Sequence, residues 1–145
     1  MAVRCPHQTE AKFRFLYLGN DLDFITALRA VLTEADYRLV SCGHDGNAII
    51  FLKSDIRYEL LLIDLEWQGT ESLKLAQLAH SLPHRQGIPI ILVAASGLNS
   101  DLKTLARRAG VKKCLAKTPV DAVSDAIRQM TAGRTAAADS TDGDT

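Results

Sequence analysis

The chain has 145 residues, a length that suits a single domain with one hydrophobic core. Its 17 basic and 17 acidic side chains balance, so no net charge would draw the chain to nucleic acid or to a membrane surface. The sequence holds no apolar run near the roughly 20 residues that span a bilayer, and it lacks the charged-then-apolar pattern of a secretory signal. We therefore expect a cytoplasmic protein.

Short apolar runs alternate with segments of helical periodicity across residues 12–132, which we take as the folded domain. The runs predict five strands, at residues 13–18, 37–42, 60–63, 88–93 and 111–116. Apolar residues at helical spacing predict a helix after each strand, with Asp21 or Asp23 capping the first helix and Ser100 capping the fourth. Residues 1–11 and 133–145 lack this pattern and are expected to be flexible tails.

Regular alternation of strands and helices predicts an α/β domain of the (βα)5 type, with a doubly wound, five-stranded parallel sheet. In such sheets ligands bind outside the carboxyl ends of the strands, near the point where the strand order changes. The loops that would meet there begin near Gly19, Asp64, Ala94 and Lys117. The sequence therefore predicts a functional crevice formed by these four loops.

Asp64 is the strongest single candidate for chemistry in the chain. It closes the apolar run Leu60-Leu61-Leu62-Ile63, so a carboxylate stands where a buried strand meets a loop. Asp is also a common residue at strand ends for purely local hydrogen-bonding reasons. The residues alone leave both interpretations open.

In size, element order and these four positions the chain resembles the receiver domain of two-component response regulators, a flavodoxin-like fold. The resemblance covers residues 12–131. It implies that Asp64 is the phosphoacceptor, phosphorylated by a histidine kinase or a phosphotransfer protein, and that Lys117 is the charge partner of the phosphoryl group. It also implies a protein that is not an enzyme and that signals to a downstream partner.

The chain departs from the family at the metal site. The resemblance implies an acidic pair that holds Mg²⁺ after the first strand, but Gly19 and Asn20 occupy those positions. A metal set of Asn20, Asp64 and Glu66 would be a poorer ligand cage, because Mg²⁺ prefers charged oxygen ligands. Asp21 could still lend a carboxylate if its loop bends inward. We expect that Mg²⁺ binding is possible but weakened.

Two positions that act as switches in the family also differ. Ala94 stands in place of a hydroxyl residue and cannot donate a hydrogen bond to a phosphoryl group. Cys114 stands where the family has a Tyr or Phe that reports the switch to partners. Thr118 separates Lys117 from Pro119, and the sequence leaves open whether the peptide before this proline is cis.

Three hypotheses follow from these residues. The favoured one is a stand-alone, atypical receiver that acts through protein–protein contacts, with a homodimer possible through the fourth helix, fifth strand and fifth helix. The alternative is a receiver that is still phosphorylated at Asp64. A more remote one is a small flavodoxin-like enzyme or cofactor binder that uses Asp64 and Lys117, although no glycine-rich phosphate loop follows the first strand. A basic cluster near the fourth helix is either a solvated face or a partner surface: Lys103, Arg107, Arg108, Lys112 and Lys113.

Overall fold

The computed structural model describes residues 13–34, 36–42, 45–68, 71–95 and 98–144, without the side chains of residues 45–47, 68 and 133–144. The predicted N-terminal tail, residues 1–11, lies outside this range.

Five parallel strands form one sheet in the order β2-β1-β3-β4-β5, which confirms the predicted fold class. The register sets Asp64 beside Val93 and Ala94 beside Ala116, so the last residues of the three final strands lie at one edge. The order changes direction between β1 and β3, as the predicted crevice requires. The strands are β1 (Phe13–Leu18), β2 (Tyr37–Cys42), β3 (Leu60–Asp64), β4 (Ile90–Ala94) and β5 (Lys113–Ala116).

Among the described residues, five helices longer than one turn connect or follow the strands: α1 (Leu22–Val31), α2 (Asp45–Lys53), α3 (Glu71–Ser81), α4 (Ser100–Arg108) and α5 (Val120–Asp144). A single helical turn, Leu65–Gln68, and a 3₁₀ turn, Pro83–Arg85, lie in the loops on either side of α3. The backbone of α5 continues past residue 132, where the sequence predicts that the domain ends. In the part of the chain that the structure describes, no helix is both long and apolar enough to cross a membrane.

Helix caps agree with the sequence at α1 and differ at α4. Asp21 caps α1, since its Oδ1 accepts a hydrogen bond from the backbone N–H of Phe24 at 3.0 Å. At α4 the prediction of Ser100 as the cap is wrong by one residue. Asn99 is the cap instead, and its side chain accepts from the backbone N–H of Leu102 at 2.8 Å. Both residue types cap well, so sequence alone does not separate them.

Alternating side chains of the sheet enter two hydrophobic layers, one on each face. In β1, Phe15 and Tyr17 pack with α1 and α5, whereas Leu16 and Leu18 pack with α2, α3 and α4. Burial of β3 and β4 on both faces explains why their sequences are apolar throughout. The sheet is therefore held rigidly, and its carboxyl edge is a fixed platform for side chains.

Arg85 is a buried cation at the edge of the layer that contains α2, α3 and α4, where it contacts the segment between α2 and β3. Its guanidinium donates to four backbone carbonyls and stacks on the ring of Tyr58, with 4.9 Å from Cζ to the ring centroid. The acceptors are the carbonyl oxygens of Phe51, Leu52, Ser54 and Ile56. This one side chain donates to carbonyls in the last turn of α2 and in the loop that follows it.

Candidate functional site

Asp64 lies at the carboxyl end of β3 and is almost wholly buried, with 1% of its surface exposed. Its Oδ1 accepts a hydrogen bond from the backbone N–H of Glu66 at 3.0 Å, and its main-chain oxygen accepts one from Ser72 Oγ at 2.9 Å. The helical turn Leu65–Gln68 begins directly after it, which aims that N–H back at the carboxylate. Asp64 is thus both a strand end and a carboxylate that faces the crevice.

Lys117 brings the positive charge of the site. It follows β5, and its Nζ lies 2.8 Å from Oδ2 of Asp64, 2.8 Å from Oδ2 of Asp21 and 3.0 Å from Oε1 of Glu66. Burial alone would lower the pKa of this ammonium, but the three carboxylates outweigh that effect and raise it. Lys117 therefore stays charged. The structure places Lys117 and Asp64 in direct contact, as their positions in the sequence require.

Asp21, rather than Asn20, is the side chain that turns into the site from the loop after β1. Its Oδ1 caps α1 while its Oδ2 pairs with Lys117, and these hydrogen bonds lower the pKa of the carboxyl group, the one from Lys117 most strongly. Asn20 is exposed, and among the described residues it forms no hydrogen bond with Asp64 or Lys117. The role of Asn20 as a metal ligand stays a prediction without support from this geometry.

Tyr17 belongs to the site although its place within an apolar run predicts an ordinary core residue. Its hydroxyl donates to Oδ2 of Asp64 at 2.5 Å and accepts from the backbone N–H of Asp21 at 3.2 Å. Burial and the hydrogen bond to Asp64 raise the pKa of the phenol, so it stays protonated and acts as a donor. Nothing in the sequence pattern gives the direction of this hydroxyl.

Gly19 makes room for the ring of Tyr17. A Cβ added at Gly19 would lie 2.5 Å from Cζ and from the hydroxyl oxygen of Tyr17, and 2.7 Å from Cβ of Asp64. Such distances are shorter than real side chains tolerate. The phenol therefore occupies the space into which a side chain at position 19 would project.

Three carboxylates supply the oxygens that could bind Mg²⁺ at this site. The carboxylate oxygens of Asp21, Asp64 and Glu66 converge here, and each of them already accepts a hydrogen bond or an ion pair. The donors are Tyr17, Lys117 and the backbone N–H groups of Phe24, Glu66 and Ala95. Among the described residues no group of three or more His, Cys, Asp or Glu side chains could hold a metal ion. With Tyr17 and Lys117 in these positions, the site does not fit Mg²⁺.

The two predicted switch positions, Ala94 and Cys114, lie on the last two strands of the sheet. Ala94 ends β4 at the same sheet edge and is buried. Cys114 lies on β5 beside α4, where burial raises the pKa of its thiol against the opposing charges of Lys103 and Arg107. The peptide between Thr118 and Pro119 is cis, which answers the question the sequence leaves open.

Comparisons with known proteins place the fold. No family model and no curated protein matches the sequence. Among solved structures, a CheY-like response regulator receiver domain protein from Methanospirillum hungatei JF-1 matches with a TM-score of 0.69 and 18% identity, covering 85% of this chain and 97% of that one. The signal receiver domain of a DNA-binding response regulator from Colwellia psychrerythraea 34H matches with a TM-score of 0.69 and 17% identity, over 82% of this chain and 98% of that one.

A third match bears on the metal. The receiver domain of a sensor histidine kinase from Pseudomonas aeruginosa PAO1, which has a magnesium ion coordinated in its active-site cleft, matches with a TM-score of 0.60 and 21% identity, over 73% of this chain and 85% of that one. At such identities the likeness shows the fold. The chain therefore has the fold of response regulator receiver domains.

Proposed function

We propose that this protein is an atypical receiver domain in two-component signalling, which acts through protein–protein contacts and catalyses no reaction of its own. One observation carries the proposal. The carboxylate in the phosphoacceptor position, Asp64, is held by Tyr17, by Lys117 and by the backbone N–H of Glu66. Three donors on its two oxygens withdraw negative charge from this carboxylate and make it a weaker nucleophile.

Two further features support signalling without a phosphoryl switch. Phosphoryl transfer depends on positioned positive charge, usually a metal, and the oxygens that would bind Mg²⁺ already have protein donors. Ala94 has no hydroxyl group with which to contact a phosphoryl group. Together these features favour a domain that stays in one conformation.

A groove between α4 and β5 is the surface that we propose for a partner. It has a volume of about 210 Å³, and cations make up most of its lining: Lys103, Arg107, Lys112 and Lys113, with Val111 and Cys114 at its base. In the part of the chain that the structure describes, none of these four cations forms an ion pair with a carboxylate. Unpaired charges of one sign favour a partner of the opposite sign, so the groove suits an acidic protein segment.

The same proposal includes the wider signalling context. A histidine kinase or a phosphotransfer protein would dock on one side of the domain, and a downstream protein or a second copy of the chain would dock on the α4, β5 and α5 side. Within this proposal the protein acts in the cytoplasm and binds neither nucleic acid nor membrane. The predicted domain limits, 12–132 with flexible ends, belong to it as well.

The test is a phosphorylation assay. Wild-type protein and Asp64→Asn are incubated with acetyl phosphate and Mg²⁺, beside an ordinary receiver domain as a positive control, and weighed intact by mass spectrometry. Attack by a carboxylate oxygen on phosphorus would form an acyl phosphate and release acetate, so the protein would gain one phosphoryl group. We expect no gain in either form under conditions that label the control.

A phosphoryl group on wild-type protein but not on Asp64→Asn would contradict the proposal. It would select the phosphorylated receiver instead, in which Lys117, 2.8 Å from Asp64, would bind the oxygens of the phosphoryl group. A phosphoryl group on both forms would place the label elsewhere and leave Asp64 unmodified, as proposed.

A further inference from the structure

The position of Tyr17 is explained by the residue two places after it. The ring of Tyr17 reaches Asp64 only because Gly19 has no side chain, since a Cβ there would lie 2.5 Å from the phenol oxygen. Conversely, the hydroxyl of Tyr17 supplies a hydrogen bond to Asp64 at 2.5 Å in the space that glycine leaves. The two residues are complementary in shape, and a change at either one alters the surroundings of Asp64.

We propose that Tyr17 and Gly19 are a coupled pair that determines which cation the site takes. With Tyr17 in place, the positive charge next to Asp64 is the ammonium of Lys117 and not a divalent ion. This inference deepens the proposed function, and its premise is that function's assignment of Asp64 and Lys117 as the signalling site. It names Tyr17 as a residue that determines specificity, where the family resemblance indicates only the loss of the acidic pair at Gly19 and Asn20.

The contacts of Oδ2 of Asp64 give the physical reason. This oxygen receives the phenol of Tyr17 at 2.5 Å and the ammonium of Lys117 at 2.8 Å, which together occupy the directions from which a metal ion would approach. A divalent ion that binds Oδ2 of Asp64 competes with the phenol, which is held in place because Tyr17 is 1% exposed and packs on Phe24. Lys117 can move more easily, because Asp21 and Glu66 lie at the exposed rim.

The remaining charges favour a cation once the phenol is absent. Asp21, Asp64 and Glu66 carry three negative charges against the single ammonium of Lys117. Oxygen ligands with net negative charge suit Mg²⁺ and Mn²⁺. The site therefore has the electrostatic character of a divalent metal site, but Tyr17 and Lys117 already occupy Oδ2 of Asp64.

The experiment is a titration with Mn²⁺, in which free Mn²⁺ is measured by electron paramagnetic resonance. It compares wild type, Tyr17→Phe, which keeps the ring but loses the hydroxyl, and Tyr17→Leu, which opens space beside Asp64. We expect Mn²⁺ affinity to rise by about tenfold or more in Tyr17→Leu and by less in Tyr17→Phe, because a hydrogen bond to a charged group contributes on this scale. Asp64→Asn in the Tyr17→Leu background should remove the gain.

Tyr37→Phe is the matched control. The hydroxyl that this change removes forms a hydrogen bond with Thr131 at 2.9 Å. Tyr37 belongs to the same core layer as Tyr17 but lies at its far end, so the Mn²⁺ affinity of the Tyr37→Phe variant should equal that of wild type. If circular dichroism shows that Tyr17→Leu does not fold, the comparison of Tyr17→Phe with wild type decides. Equal affinities in wild type and the folded Tyr17 variants would overturn the inference.

The two proposals fail in distinguishable ways. Equal Mn²⁺ affinities contradict only the role of Tyr17, while a wild type without a phosphoryl group still supports the proposed function. A wild type that accepts phosphate at Asp64 contradicts the proposed function, whatever the Mn²⁺ titration gives.

Discussion

At the scale of single residues, the central feature is one ammonium shared by three carboxylates. The side chain of Asp64 is 1% exposed and that of Lys117 is 10% exposed, so water screens this pair weakly. Asp21 and Glu66 are 34% and 44% exposed at the side chain, and their pairs with Lys117 are correspondingly weaker. The buried pair of Asp64 and Lys117 is therefore the strongest of the three ion pairs. Its contribution to stability depends on the presence of both charges.

We predict that Lys117→Met destabilises the protein by about 3–5 kcal/mol, since it leaves the buried carboxylate of Asp64 without a counter-charge. The double variant Lys117→Met with Asp64→Asn should be destabilised by clearly less than the sum of the single changes, because neither charge then remains unpaired. The measurement is the free energy of unfolding in urea, followed by the fluorescence of Trp67.

Lys112→Met is the control for this cycle. It removes the same charge from an exposed lysine beside β5, and we expect a change within about 0.5 kcal/mol. Strict additivity of the Lys117 and Asp64 changes would show that the two side chains do not interact in solution.

At the scale of elements, the strands were predictable and the precise surroundings of the site were not. Mostly apolar runs set β1 and β2 at their observed limits, and the carboxyl ends of β3 and β5 placed Asp64 and Lys117 together. The role of Tyr17 was not predictable, because a buried tyrosine usually finds a partner for its hydroxyl and the sequence does not show which one.

The cap of α4 and the burial of Arg85 were not predicted from the sequence either. The cap of α4 is Asn99 because the chain turns one residue earlier than the apolar spacing suggests. The buried Arg85 is charged, and charged residues in loops are normally exposed, so composition gives no sign of its four carbonyl acceptors. Long-range contacts decide the position of Arg85, whereas at α4 two adjacent residues that both cap well leave the exact start of the helix open.

The groove between α4 and β5 predicts that charge reversal on α4 weakens the binding of an acidic peptide. Lys103→Glu with Arg107→Glu should weaken binding of a fluorescent glutamate-rich peptide by tenfold or more, about the effect expected when attractive charges become repulsive. Fluorescence anisotropy at low salt measures this, and raising the salt concentration should weaken wild-type binding.

Lys53→Glu with Lys74→Glu is the matched control for the groove. It reverses two exposed charges on α2 and α3, away from the groove, and should bind the peptide as wild type does. If both double variants lose binding equally, the peptide responds to net charge and the groove is not its site.

At the scale of the whole molecule, α1 is tied at both ends to the last third of the chain. Asp21, its cap, pairs with Lys117 after β5, and Glu34, three residues beyond its last residue, pairs with Arg128 on α5 at 2.6 Å. In both cases a hydrogen bond from the cation is the main cause that lowers the pKa of the carboxyl group. The two ion pairs therefore link the first helix to the end of the fold.

These lowered pKa values predict how stability depends on pH. A carboxylate whose pKa is lower in the folded than in the unfolded protein contributes stability above the unfolded value, about 4, and that contribution is lost as the pH falls through the folded value. Asp21→Asn with Glu34→Gln should therefore reduce the loss of unfolding free energy on acidification, while costing stability at neutral pH. Asn keeps the cap of α1, so the change isolates the charge.

The measurement is a series of urea titrations from neutral pH to below pH 4. The control is Asp36→Asn with Asp55→Asn, which removes two exposed carboxylates without ion pairs among the described residues. It should keep the wild-type slope of unfolding free energy against pH. If the unfolding free energy depends on pH with the same slope in all three proteins, the two ion pairs of α1 do not cause the acid sensitivity.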